Sequence, residues 1–97
     1  MYETILARKL KNQLLALDPT LTVEVKNVRV NHETMGCSGF VTSQAGKVVY
    51  VNTDHNHGTN RKALYRTAEH NKDYRGGMNQ YAPYDEVALA VVALLHR

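Results

Sequence analysis

The stretch CSGFVTSQAGKVVYVN, residues 37–52, decides the fold of this chain. Two runs rich in β-branched and aromatic residues, 37–43 and 47–52, enclose a short connection that ends in Gly46. Strand-forming residues on both sides of a short connection that contains glycine are typical of a β-hairpin. The sequence therefore predicts two antiparallel strands that pair with each other.

The residues before this hairpin predict a helix followed by a strand. Between positions 2 and 17 apolar residues recur at spacings of three and four, which is typical of an amphipathic helix, and Pro19 ends that helix. From Leu21 apolar residues alternate with polar ones, and the alternation shifts by one position after Val25. This pattern predicts a strand over 21–30 with a β-bulge near Lys26 and Asn27, followed by a polar turn over 31–36.

The residues after the hairpin predict one uncertain element and one clear helix. Residues 62–68 form either a fourth strand paired with the third, which we favour, or a short helix capped by Thr59 or Asn60. The last helix begins with Pro83 in its first turn and presents a broad apolar face built from valine, alanine and leucine.

Together these elements predict an α+β fold in a single domain that spans residues 1–97. The expected order is α-β-β-β-(β)-α, with an antiparallel sheet, both helices on one face of it and the other face open. With 97 residues, 43% hydrophobic and 22% charged, the chain has the composition of a globular protein.

The composition and motifs of the sequence also limit where the protein is expected and what chemistry it can perform. No run approaches the roughly 18 apolar residues of a membrane span, so we expect no membrane partner and a cytoplasmic protein. Cys37 is the only cysteine, which excludes an internal disulfide and predicts a buried structural thiol. Phosphate-binding and dinucleotide-binding glycine motifs are absent from the sequence, as is a nucleophile elbow, and we expect no cofactor.

The positive charge is concentrated in one stretch, residues 60–79. This stretch holds five cations and two acids, an excess equal to the whole net charge of +3. Tyrosines lie between the cations, and Arg and Tyr are common both in protein-binding hot spots and in contacts with nucleic acid. The candidate binding residues are Arg61, Lys62, Tyr65, Arg66, Lys72, Tyr74 and Arg75.

These observations favour a non-enzymatic binding protein whose partner is a protein or a protein–nucleic-acid complex. Direct nucleic-acid binding is the alternative, and the oligomeric state stays open. In size and element order the chain resembles small phage and mobile-element proteins that inhibit host defence systems, anti-CRISPR proteins among them. That resemblance implies an inhibitor, and no motif carries it.

A further alternative is a metal-dependent nuclease. His55 and His57 are two residues apart and project to one side of an extended segment, as a pair of metal ligands would. Residues 54–71 resemble the order of residues in HNH homing endonucleases, through Asp54-His55, Asn60-Arg61, Leu64, Arg66-Thr67 and Glu69-His70-Asn71. The resemblance implies that His55 is a general base and that Asn71 positions the metal or substrate. The cysteine knuckle of that family and its second metal-binding histidine are absent.

Overall fold

The structure is a computed structural model that describes residues 4–54, 62–70 and 78–97. Seven elements follow one another in these ranges: α1 Ala7–Leu17, β1 Thr22–Val30, β2 Glu33–Thr42, β3 Val48–Asn52, β4 Lys62–Ala68, β5 Gln80–Pro83 and α2 Val87–Leu95. The predicted α+β fold is confirmed. Residues 62–68 are a strand and not a helix, and β5 adds a strand that the sequence analysis did not predict.

The five strands form one antiparallel sheet in sequence order, β1-β2-β3-β4-β5. The predicted hairpin is β2–β3, in which Phe40 pairs with Tyr50 and Thr42 with Val48. Its connection is closed by a hydrogen bond of 2.8 Å from Ser43 N to Lys47 O. β4 pairs with β3 as predicted, and β5 pairs with β4 at the sheet edge.

The prediction of a bulge on β1 near Lys26 and Asn27 was wrong. Pairing between β1 and β2 is continuous as far as Val28, and the extra residue is Met35 on β2. Asn27 lies on the side of the helices because its side-chain oxygen accepts a hydrogen bond of 2.8 Å from Ala7 N, at the start of α1. A polar residue at this position, among valines on the helix side of β1, imitates a change of phase in the sequence pattern.

The predicted turn over 31–36 is also shorter than expected. Asn31 and His32, with φ angles of 51° and 68°, form it alone, and β2 begins directly afterwards. Two consecutive residues of positive φ match a type I′ hairpin turn, whose twist suits the flanking strands. β1 and β2 therefore form a longer hairpin than the apolar pattern indicated.

Both predicted helix starts need correction. α1 begins at Ala7 rather than near position 2, because Thr4 and Ile5 are hydrogen-bonded to Thr53. Pro83 does not open α2; it is the last residue of β5 and pairs with Lys62. Proline is tolerated there because an edge strand does not need every backbone N–H for pairing.

Both helices pack on the same face of the sheet, as predicted. We call this the helix-packed face. Its core combines strand residues with two leucines of α1 and most of α2: Cys37, Val41, Val49, Val51, Ala63 and Ala82 with Leu10, Leu14, Val87, Val91, Leu94 and Leu95. Among the described residues, no helix is long and apolar enough to cross a membrane.

The alternate strand residues project to the opposite side of the sheet, because side chains alternate along a strand. We call this side the open face, since neither α1 nor α2 packs against it. Its central residues are Glu24, Lys26, Phe40, Tyr50, Asn52, Lys62, Leu64, Arg66 and Tyr81.

Candidate binding face

A row of four side chains crosses the open face from β1 to β4. The strand register places Glu24 opposite Phe40, Phe40 opposite Tyr50 and Tyr50 opposite Arg66. The rings of Phe40 and Tyr50 are tilted by 53°, with centroids 5.3 Å apart, and the Arg66 guanidinium carbon lies 4.7 Å from the Tyr50 ring centroid. Tilted aromatic pairs and cations over ring faces both attract. The two contacts make Phe40, Tyr50 and Arg66 one packed unit.

Hydrogen bonds connect this row to the residues that follow β3. The Asn52 side-chain amide donates to the Tyr50 hydroxyl over 2.9 Å. The Asn52 side-chain oxygen accepts a bond of 2.7 Å from Asp54 N, and Asp54 is buried. Asn52 therefore fixes both the Tyr50 ring and the backbone where the connection to β4 begins.

Arg66 is an unusual member of the row because it is only 4% exposed. A buried charge is costly unless its surroundings compensate it, and the Tyr50 ring supplies part of that compensation. Phe40 is almost equally buried, at 5% exposure. Phe40 and Arg66 therefore contribute little accessible surface to the open face, and other residues provide that surface.

The accessible part of this face lies along β4 and β5. Tyr81 is 44% exposed and pairs with Leu64, which is buried, while Lys62 is exposed at the start of β4. An aromatic ring and an ammonium group are thus accessible on the open face.

A second network holds the sheet end where β3 finishes. The fully buried Thr53 hydroxyl donates to Ile5 O over 2.7 Å and accepts from Cys37 N over 2.9 Å. Gly36, with a φ of +143°, is needed because a Cβ there would lie 2.7 Å from Asp54 N. These contacts fix the N-terminal segment, β2 and the end of β3 together.

Cys37 belongs to that network through contacts with Thr53 and Ile5. Its side chain is fully buried, and burial raises the pKa of the thiol. A thiol with a raised pKa holds little of the thiolate form that reacts. The predicted buried structural thiol is confirmed.

The structure separates the predicted binding residues. Lys62 and Arg66 lie on the open face, whereas Tyr65 lies on the helix-packed face, where it packs against the core. Four further candidates and the histidine pair lie outside the described residues: Arg61, Lys72, Tyr74 and Arg75, with His55 and His57.

The residues that resemble HNH nucleases do not converge in the described part of the chain. Asp54 precedes β4, whereas Glu69 and His70 follow it, and a seven-residue strand is roughly 20 Å long. Within residues 4–54, 62–70 and 78–97, no group of three His, Cys, Asp or Glu side chains could hold a metal ion.

Sequence reasoning missed Phe40, Tyr50 and Asn52, which organise the open face. It searched for function in the basic stretch, and these residues lie in the hairpin that was used to decide the fold. Their signal was the alternation itself: Tyr50 and Asn52 alternate with Val49 and Val51 along β3, and Phe40 precedes Val41 on β2. Only the strand register shows that they are neighbours of Arg66.

Comparisons with protein-family models, with curated proteins and with solved structures find no match to this chain.

Proposed function

We propose that this chain is a non-enzymatic binding protein that contacts a protein, alone or in complex with nucleic acid, through its open face. The observation that carries the proposal is the combination of a packed aromatic–cationic row with exposed Tyr81 and Lys62 on the same face. Binding hot spots are built in this way, with accessible anchors on a packed support.

A protein surface fits these residues better than bare nucleic acid does. Non-specific nucleic-acid binding needs accessible ring faces for stacking and accessible cations for phosphates. On this face Phe40 and Arg66 are nearly inaccessible, and Glu24 adds an exposed acid. Tyr, by contrast, is enriched in protein interfaces.

An inhibitor of a host defence system is the most concrete version of this proposal. It rests on the chain's small size and element order, and it uses the same surface. The protein component of a defence complex would then contact Tyr81 and Lys62, and binding would compete with that component's own activity.

The test is a pull-down with tagged wild-type chain and three variants, with the lysate divided into nuclease-treated and untreated halves. Tyr81→Ala and Lys62→Ala change the accessible open face. Leu89→Ala is the matched control, because Leu89 is 61% exposed on α2, in the helix layer. We expect one protein to be retained by wild type and Leu89→Ala after nuclease treatment and to be lost with Tyr81→Ala.

Two outcomes would overturn the proposal. Retention that is unaffected by Tyr81→Ala and Lys62→Ala but lost with Leu89→Ala would place the contact on the helix layer. Recovery of nucleic acid alone, with affinity that falls steeply as salt rises, would replace the protein-binding function by direct nucleic-acid binding.

A further inference from the structure

The two edges of the sheet differ in how they are protected against pairing with another strand. β5 has four residues and ends in Pro83, whereas β1 has nine residues and contains no proline. Short strands and proline are common means of blocking an edge, and long regular edge strands readily pair with other chains. In the described part of the molecule, β1 has β2 as its single neighbour.

The hydrogen bonds of β2 show which backbone groups of β1 point outward. Cys37 O accepts from Thr53 N, and Ser43 N donates to Lys47 O, so the odd-numbered residues of β2 bond toward β3. The even-numbered residues of β2 therefore bond toward β1, and their partners there are also even-numbered. The backbone groups of Val23, Val25 and Asn27 consequently point away from the sheet.

We propose that this edge binds a second copy of the chain, with the two β1 strands antiparallel and related by a two-fold axis at Val25. Each central Val25 then faces its counterpart, and each Val23 faces an Asn27. These three pairs supply about six backbone hydrogen bonds. The regular part of β1, before the irregularity after Val28, accommodates all of them.

Charge complementarity selects this register and this occupant. With the axis at Val25, Glu24 of each copy lies opposite Lys26 of the other, and both residues are on the exposed open face. A shift by one residue in either direction brings Glu24 opposite Glu24 or Lys26 opposite Lys26. Opposite charges across a strand pair stabilise it, and like charges destabilise it. β1 is thus complementary to itself.

The proposed dimer joins the sheets without covering the open face. The two-fold axis is perpendicular to the sheet, so all four helices lie on one side and both open faces on the other. The inference does not rest on the function proposed above: it concerns the edge of β1, and Glu24 is the one residue that it shares with the row on the open face.

The test uses charge exchange between two variants. Glu24→Lys and Lys26→Glu each place like charges opposite each other in a homodimer, and mixing the two restores complementary pairs in a heterodimer. In sedimentation equilibrium up to about 1 mM protein, a range in which even small interfaces associate, we expect wild type to approach twice its 10.9 kDa mass. Each variant alone should dimerise roughly tenfold to a hundredfold more weakly, and the mixture should recover wild-type behaviour.

A matched pair controls for net charge. Lys62→Glu makes the same charge change as Lys26→Glu, and Glu69→Lys makes the same change as Glu24→Lys, at positions on and after β4. Each of these variants, and their mixture, should dimerise as wild type does. A monomeric wild type at the highest concentration would overturn the proposal. So would Glu24→Lys or Lys26→Glu variants that dimerise normally while circular dichroism shows them folded, or a Lys62→Glu or Glu69→Lys variant that weakens dimerisation as much as the β1 variants do.

Discussion

On the helix-packed face the central strands present Val41, Val49 and Val51, and on the open face the same strands present Phe40, Tyr50 and Arg66. The valines pack against two helices, which is what a two-layer fold requires. The other row is held by a ring pair, a cation over a ring and the hydrogen bond from Asn52. A sheet face that contacts only solvent would not need so specific an arrangement of side chains.

The difference teaches that alternate residues of one strand belong to the core and to the face on which we propose binding. Tyr50 and Val51 are sequence neighbours, but their side chains belong to different layers. A substitution of Val51 should therefore change folding alone, whereas a substitution of Tyr50 should change binding as well.

The largest effect is expected from Val51→Ala. Val51 is fully buried between the sheet and the helices, and removing two methyl groups leaves a cavity there. The free energy of unfolding should fall by about 2 kcal/mol, measured by chemical denaturation. Binding by the fraction that remains folded should not change. A loss of binding by Val51→Ala as large as the loss caused by Tyr81→Ala would show that the two faces are not independent.

A smaller loss of stability is expected from Tyr50→Leu, accompanied by a loss of binding. Leucine removes the ring contacts with Phe40 and Arg66 and the hydroxyl that accepts from Asn52. The free energy of unfolding should fall by about 1–1.5 kcal/mol. Tyr50→Phe is the control, because it keeps the ring and removes only the hydroxyl. If Tyr50→Leu binds its partner as wild type does, the row does not support the binding surface.

Gln13→Met, on α1, should raise the free energy of unfolding, whereas the substitutions above lower it. The Gln13 side-chain oxygen is buried and has no hydrogen-bond partner in the described molecule. An unsatisfied buried acceptor destabilises the folded state, and a methionine of similar length removes it. We expect the free energy of unfolding to rise by about 1 kcal/mol, whereas Gln44→Met, at an exposed position, should have no such effect.

The smallest effect is a change in acid sensitivity at Asp18, beyond the end of α1. Hydrogen bonds from the Thr20 hydroxyl, over 2.6 Å, and Thr20 N, and a contact with His96, lower the pKa of Asp18 below its ordinary value of 3.8. A lowered pKa stabilises the fold above 3.8, and that contribution is lost as the pH falls through the folded-state value.

Asp18→Asn should therefore lose less stability than wild type when the pH is lowered from about 6 to about 2.5, measured by denaturant titration at both values. Asp85→Asn, at an exposed position, is the control and should follow wild type. A parallel acid response in wild type and Asp18→Asn would show that the contacts around Asp18 add no stability.

The hairpin and the fold class could be predicted because their signals are local. Strand-forming runs around Gly46 and spaced leucines in α1 depend on nearby residues only. β5 could not be predicted, since four residues ending in proline carry no alternation and form a strand only because β4 is beside them. The same applies to the open face: the contact of Arg66 with Tyr50 joins residues of two strands, and charge counting along the chain does not reveal it.

The central claim is that a protein partner contacts the open face. It is tested most directly by photo-crosslinking from two positions, with a benzophenone amino acid placed at Tyr81 in one sample and at Leu89 in the other. The account predicts a crosslinked product with the retained partner from position 81 and none from position 89. A product from position 89 alone, or equal yields from both positions, would contradict it.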